Sequence, residues 1–247
     1  MSDLDPILAV LLVSSLSAAS AALGVLPLAL LGRLTPHALG WGNALAAGLM
    51  LGVAYSLTTV QADPGIVFGA IGALLGVLFV RLTHAFTGVE DLDLNQLDEL
   101  GPAYGYQVFL VNTLHAAYEG VAIGMAMQVS LPFGIAMAIA LGVHNIPEAM
   151  ILTAILQKRG VSLVHCTALA VATNVNQVLL AVVTFALIGA LPTLMPWALG
   201  FAVGSLFYLV LDELLPESYR QAGHTSIALV TLVAMGIVVA LGGGIGP

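Results

Sequence analysis

The sequence predicts an all-α membrane protein, with eight transmembrane helices forming a single polytopic transmembrane domain over residues 1–247. Three observations carry this reading. The 247 residues are 60% hydrophobic and only 7% charged, against roughly 25% charged in a soluble domain, so this composition cannot clothe a water-facing surface. Eight apolar runs follow one another, each close to the ~20 residues a helix needs to cross the hydrocarbon. Every Lys and Arg falls on one side of the membrane that those runs define.

The first span, near 6–31, follows "MSDLDP". Asp3 and Asp5 stand where a cleavable signal carries positive charge, and the apolar run exceeds a signal h-region, so it reads as a span. "GRLTPH" separates it from the second span, near 38–60, and "QADPG" leads into the third, near 65–83. In the third span Gly72-Ala-Leu-Leu-Gly76 has the GxxxG spacing of a helix-packing face. With 27 glycines in the chain the spacing carries little weight, and ordinary close packing is the expectation. Residues 84–105 form the longest connection, a cytoplasmic acidic loop with Glu90, Asp91, Asp93, Asp98 and Glu99, and with only His84 as a nearby imidazole. It reads as solvated and not as a metal trap. The fourth span, near 106–129, and the fifth, near 133–157, meet at "SLPFG". "KRG", "GALPTLMP" and "PESYRQAGH" then bound the sixth, seventh and eighth spans, near 163–189, 195–215 and 225–245.

The loops orient the chain. Arg33 lies in loop 1–2, Arg81 at the edge of loop 3–4, Lys158 and Arg159 in loop 5–6, and Arg220 in loop 7–8. A five-to-nothing split arises by chance about one time in sixteen, and the basic side is the cytoplasm. Both termini then face outside. The single Cys166 excludes an intrachain disulfide. A net charge of −8 argues against nucleic acid as a partner and suits a path for cations through a lipid bilayer.

Two carboxylates sit in the middle of spans, Glu119 in the fourth and Glu148 in the fifth. An ionised group there costs about 3 kcal/mol, so each is a functional candidate. Each has a histidine four residues before it, His115 and His144. That spacing puts both side chains on one helix face. Two imidazoles and two carboxylates from two helices make a plausible ligand set for Zn2+ or a similar divalent ion. The pairs are 29 residues apart, and another 29 reaches "TNVNQ" with Thr173 and Gln177 in the sixth span. Pro147 lies mid-span and gives no N–H to the Val143 carbonyl, which leaves either a further oxygen ligand, a hinge or a simple kink. His37, His165 and His224 lie near span ends and need no role, and Cys166 reads as a small packed residue.

With "HNIPEA" in the fifth span, "HAAYEG" in the fourth and "LDELLPES" in the seventh, the chain resembles the ZIP family of divalent-metal transporters, bacterial type. The resemblance covers the whole chain. It implies a two-bundle architecture, with spans 1, 4, 5 and 6 moving against spans 2, 3, 7 and 8, and members are often homodimers. It implies Zn2+ as the transported ion, with Cd2+, Fe2+ or Mn2+ also admitted. It implies a mid-membrane site of His115, Glu119, His144 and Glu148, with Asn145 and the soft sulfur of Met50 as further ligands, and with Asp212 and Glu213 on the exit path. Where some members hold a second adjacent metal, this chain has Ala116, Asn145 and Gln177, and Tyr118 replaces a proline of the fourth-span motif. One transported ion is therefore expected.

The expected activity is movement of a divalent metal ion toward the cytoplasm across a plasma (inner) membrane, by alternating access. No nucleotide-binding motif is present, so a gradient would drive it. The chain is not expected to be an enzyme. The rival readings are an intramembrane zinc-dependent hydrolase, weakened because neither pair is H-E-x-x-H, and a non-transporting metal-binding or sensing homologue, favoured by Ala116, Ala149 and Gln177.

Overall fold

A computed structural model describes residues 5–32, 34–60, 65–88 and 104–243. Arg33 and the five acids of the acidic loop lie outside the described residues. Among the described residues every regular element is helical, and eight helices are long and apolar enough to cross a membrane. They are α1 (Pro6–Leu31), α2 (Pro36–Thr58), α3 (Ile66–Thr87), α4 (Gly105–Val129), α5 (Leu131–Lys158), α6 (Leu163–Ala190), α7 (Pro192–Gln221) and α8 (His224–Gly243).

The starts follow local capping chemistry. The Asp5 carboxylate accepts the N–H groups of Ile7 and Leu8 at 2.9 and 3.2 Å, and Thr35, Ser130 and Ser162 cap α2, α5 and α6. Pro6, Pro36 and Pro132 stand in first turns, where the missing N–H costs nothing. Gly32 and Gly88 close α1 and α3 at φ +71°, a left-handed cap that a Cβ would disfavour. The Gly88 cap carries α3 past the predicted end near 83, so His84 stands inside the helix and not in a loop.

Three helices depart from regular α geometry. α1 tightens to a 3-10 stretch over Ser20–Val25, α6 is interrupted at Asn174, and α7 widens to a π turn over Val210–Leu214. α5 runs unbroken through Pro147.

Packing divides the helices. α4, α5 and α6 pack on one another and on α1, while α2 packs with α8 and α7, and α3 with α7. The two groups meet chiefly where α2 lies on α5 and α4 lies on α7. The closest crossing is α3 with α7. A Cβ on Gly72 or Gly76 would strike the backbone of Trp197 or Phe201, and one on Gly200 or Gly204 would strike that of Gly69 or Ala73. Small residues on both partners let the backbones touch, which is how helices gain packing in a medium as apolar as their side chains. The glycine spacing of the third span thus belongs to a reciprocal helix contact. Leu30, Leu74, Leu82, Phe86 and Leu232 point outward, a surface suited to hydrocarbon.

Candidate metal centre

Among the described residues, six histidine and glutamate side chains inside this bundle gather into two groups. In the first, α4 supplies Glu119, and α5 supplies His144 and Glu148 one turn apart. His144 Nε2 lies 3.2 Å from a Glu119 oxygen and 3.8 Å from a Glu148 oxygen. Glu119 and His144 are 1% and 2% exposed, and the Glu148 side chain is 19% exposed. Neither Glu119 oxygen has a hydrogen-bond donor. A single imidazole nitrogen aimed at two carboxylates, in a place that water hardly reaches, needs positive charge between them. A His144 ring protonated on both nitrogens would supply it, and so would a cation. Ligands of a tetrahedral Zn2+ bonded at about 2.0–2.1 Å stand about 3.4 Å apart, so the observed separations need only small adjustment to hold one ion. Two carboxylates would neutralise a divalent charge.

In the second group, His84 from α3, His115 from α4 and Glu213 from α7 converge. The His84 and His115 Nε2 atoms are 3.2 Å apart, and His84 Nε2 lies 3.3 Å from a Glu213 oxygen. The spacing again suits a metal ion. With one carboxylate against two imidazoles, this group would leave a divalent ion with net positive charge and hold it less firmly. The π turn aims Glu213 here: the neighbouring Asp212 stays exposed while Glu213 is turned inward, as the wider turn allows. His84 stands three residues from Arg81 and one turn from the end of α3, so this group lies toward the basic side of the molecule.

One small cavity of about 40 Å3 serves both groups. His144 and Glu148 line it, as do His115 and Glu213, together with Asn43 and Ala46 of α2 and Asn112 of α4.

The residues singled out in the sequence therefore separate. Glu119, His144 and Glu148 come together, and His115 is turned to His84 and Glu213. Asn145 is engaged elsewhere through its nitrogen, which donates to the Ser17 carbonyl at 3.0 Å and to Gln177 at 3.1 Å, while its buried oxygen has no partner, and Gln177 donates to the Ser17 hydroxyl at 3.3 Å. This neutral network ties α1, α5 and α6 together. Met50 is fully buried in the apolar core with Val53 and Tyr118, and is not among the residues lining the cavity. Pro147 packs against the Gly42 position of α2. Sequence reasoning placed His84 in the acidic loop without a role and passed over Asn43 and Asn112. For His84 a signal existed, since Gly88 marks a helix stop four residues later.

Comparison with known proteins identifies the family. The chain is 29% identical over 231 residues to a protein of Arabidopsis thaliana provisionally named a zinc transporter, covering 91% of this chain. It spans 37% of the length of that relative. It is 29% identical over 175 residues to the zinc transporter GufA of Myxococcus xanthus, covering 70% of this chain and 68% of that protein. The profile of the ZIP zinc transporter family matches residues 84–243, more than half of the chain and all of both histidine–glutamate groups. With eight apolar helices and that match, the chain belongs to the ZIP zinc transporter family.

Proposed function

We propose that this protein moves a divalent metal ion, Zn2+ before Cd2+, Fe2+ or Mn2+, across a plasma (inner) membrane toward the cytoplasm. The observation that carries the reading is His144 Nε2 facing Glu119 and Glu148 inside an apolar bundle. Family membership and the names of the two relatives support zinc as cargo. The basic residues support the direction, since Arg81, Lys158, Arg159 and Arg220 lie at or beside helix ends on the His84 side, the cytoplasmic side by the charge rule.

In this mechanism an ion arriving from outside sheds water and binds to Glu119, His144 and Glu148. The group formed by α1, α4, α5 and α6 then slides against α2, α3, α7 and α8. The slide carries the ion past His115 to His84 and Glu213, where the lower negative charge eases release, and a gradient drives the cycle. The Asn145–Gln177 contact is neutral and takes up the Asn145 amide nitrogen, and the absence of a further carboxylate at these positions supports one transported ion and not two. Transport fits the family better than hydrolysis. A homodimer in the bilayer completes the reading.

The test is Zn2+ uptake into proteoliposomes by the wild type and by Glu148→Ala, with Cd2+, Fe2+ and Mn2+ as competitors. Loss of uptake in the variant is expected. Equal uptake by both would place the transport site elsewhere, and binding without uptake by the wild type would turn the same residues into a sensor.

A further inference from the structure

Asn43 has no part in the two metal groups, yet its surroundings are unusual. It is 2% exposed, and its amide nitrogen has no hydrogen-bond partner. Leaving a buried amide donor unpaired is costly, so this side chain is suited to a polar occupant beside it. The space it borders is the cavity onto which His115, His144, Glu148 and Glu213 open. Asn43 and Ala46 present one face of α2 to it, and Asn112 borders it from α4. The occupant that suits such walls is a cation with its last water. The two ends of a carboxamide exchange by a half-turn about one bond, so Asn43 can offer an oxygen to the ion or an N–H to its water.

Building on the transport reading, we propose that Asn43 is a specificity-determining residue. Its carboxamide contacts the ion in transit between the two groups and favours oxygen-preferring ions, Mn2+ and Fe2+, relative to Zn2+ and Cd2+. Two facts make a neutral oxygen apt at this point. Glu148 and Glu213 already supply two carboxylates around the cavity, and a third would hold the ion too firmly for it to leave. An amide adds a ligand without adding charge. Its oxygen is hard, and hard donors suit Mn2+ better than the softer ions that imidazole accommodates.

Purified full-length protein, wild type, Asn43→Leu and Asn43→Asp, would be titrated with Mn2+ and Zn2+ separately and then assayed for uptake of each in proteoliposomes. Leu removes the polar contact at similar volume, and its Mn2+ affinity relative to Zn2+ is expected to fall about fivefold, the weight of one polar contact. Asp is expected to bind Mn2+ more tightly and to turn over more slowly. An unchanged Mn2+ to Zn2+ ratio in both variants would overturn the proposal and leave Asn43 a packing residue. A wild type that binds both ions and imports neither would overturn the transport reading alone, because the binding ratio still decides the role of Asn43. A wild type that binds neither ion would sink both.

Discussion

His144 offers one nitrogen to two carboxylates, so its removal strips the first group of its only imidazole. Zn2+ affinity of His144→Ala should fall by more than about tenfold, the lower end of what even outer-sphere partners of metal ligands contribute. His84→Ala should behave differently, because His84 touches only the second group. Binding at Glu119, His144 and Glu148 stays near the wild-type value while uptake slows, since the receiving position has lost a ligand. Chelator-competition titration beside uptake rates separates the two outcomes, and equal loss of affinity in both variants would mean a single fused site. Protons and metal compete for the same nitrogens and oxygens, so Zn2+ affinity should weaken as the pH is lowered, with no optimum on the acid side. Only part of this was legible in the sequence. The mid-span acids stood out because they break an apolar run, and their histidines by the four-residue spacing. That His115 turns to another helix was not legible, because spacing along α4 says nothing about which helix crosses it.

At the scale of elements, the eight spans were legible because Pro, Gly and capping residues punctuate long apolar runs. Their ends were less so. The third span was closed at a polar residue, His84, when the true stop was the left-handed glycine four residues on. The π turn of α7 had no sequence mark, since an inserted residue changes no composition. Backbone contact between α3 and α7 gives a sharp test. A side chain at Gly200 would collide with the Gly69 carbonyl, whereas Gly236 on α8 has open space. Gly200→Val should lower the unfolding temperature in detergent, with a cost of about 1–3 kcal/mol for overpacking, and Gly236→Val should leave it unchanged. If both variants melt alike, that crossing contributes little to stability.

For the whole molecule, the question is whether the two groups of helices slide past each other where α2 lies on α5. A Cβ at position 42 would stand 3.3 Å from the Pro147 Cβ, a few tenths of an ångström short of the roughly 3.5–4.5 Å seen in disulfides, which a small slide of the helices supplies. Gly42→Cys with Pro147→Cys, in a Cys166→Ser background, should crosslink on oxidation. Uptake should stop in the oxidised protein and return on reduction, and a crosslinked protein that still transports would rule out sliding at this contact. The cavity itself has a consequence for ions that outnumber the cargo. Its volume of about 40 Å3 is little more than the roughly 30 Å3 that one water takes in the liquid. Mg2+ sheds its octahedral shell reluctantly and travels with several waters still attached. On the transport reading, such an ion would meet a space smaller than the shell it keeps, and size alone would select against it ahead of any ligand.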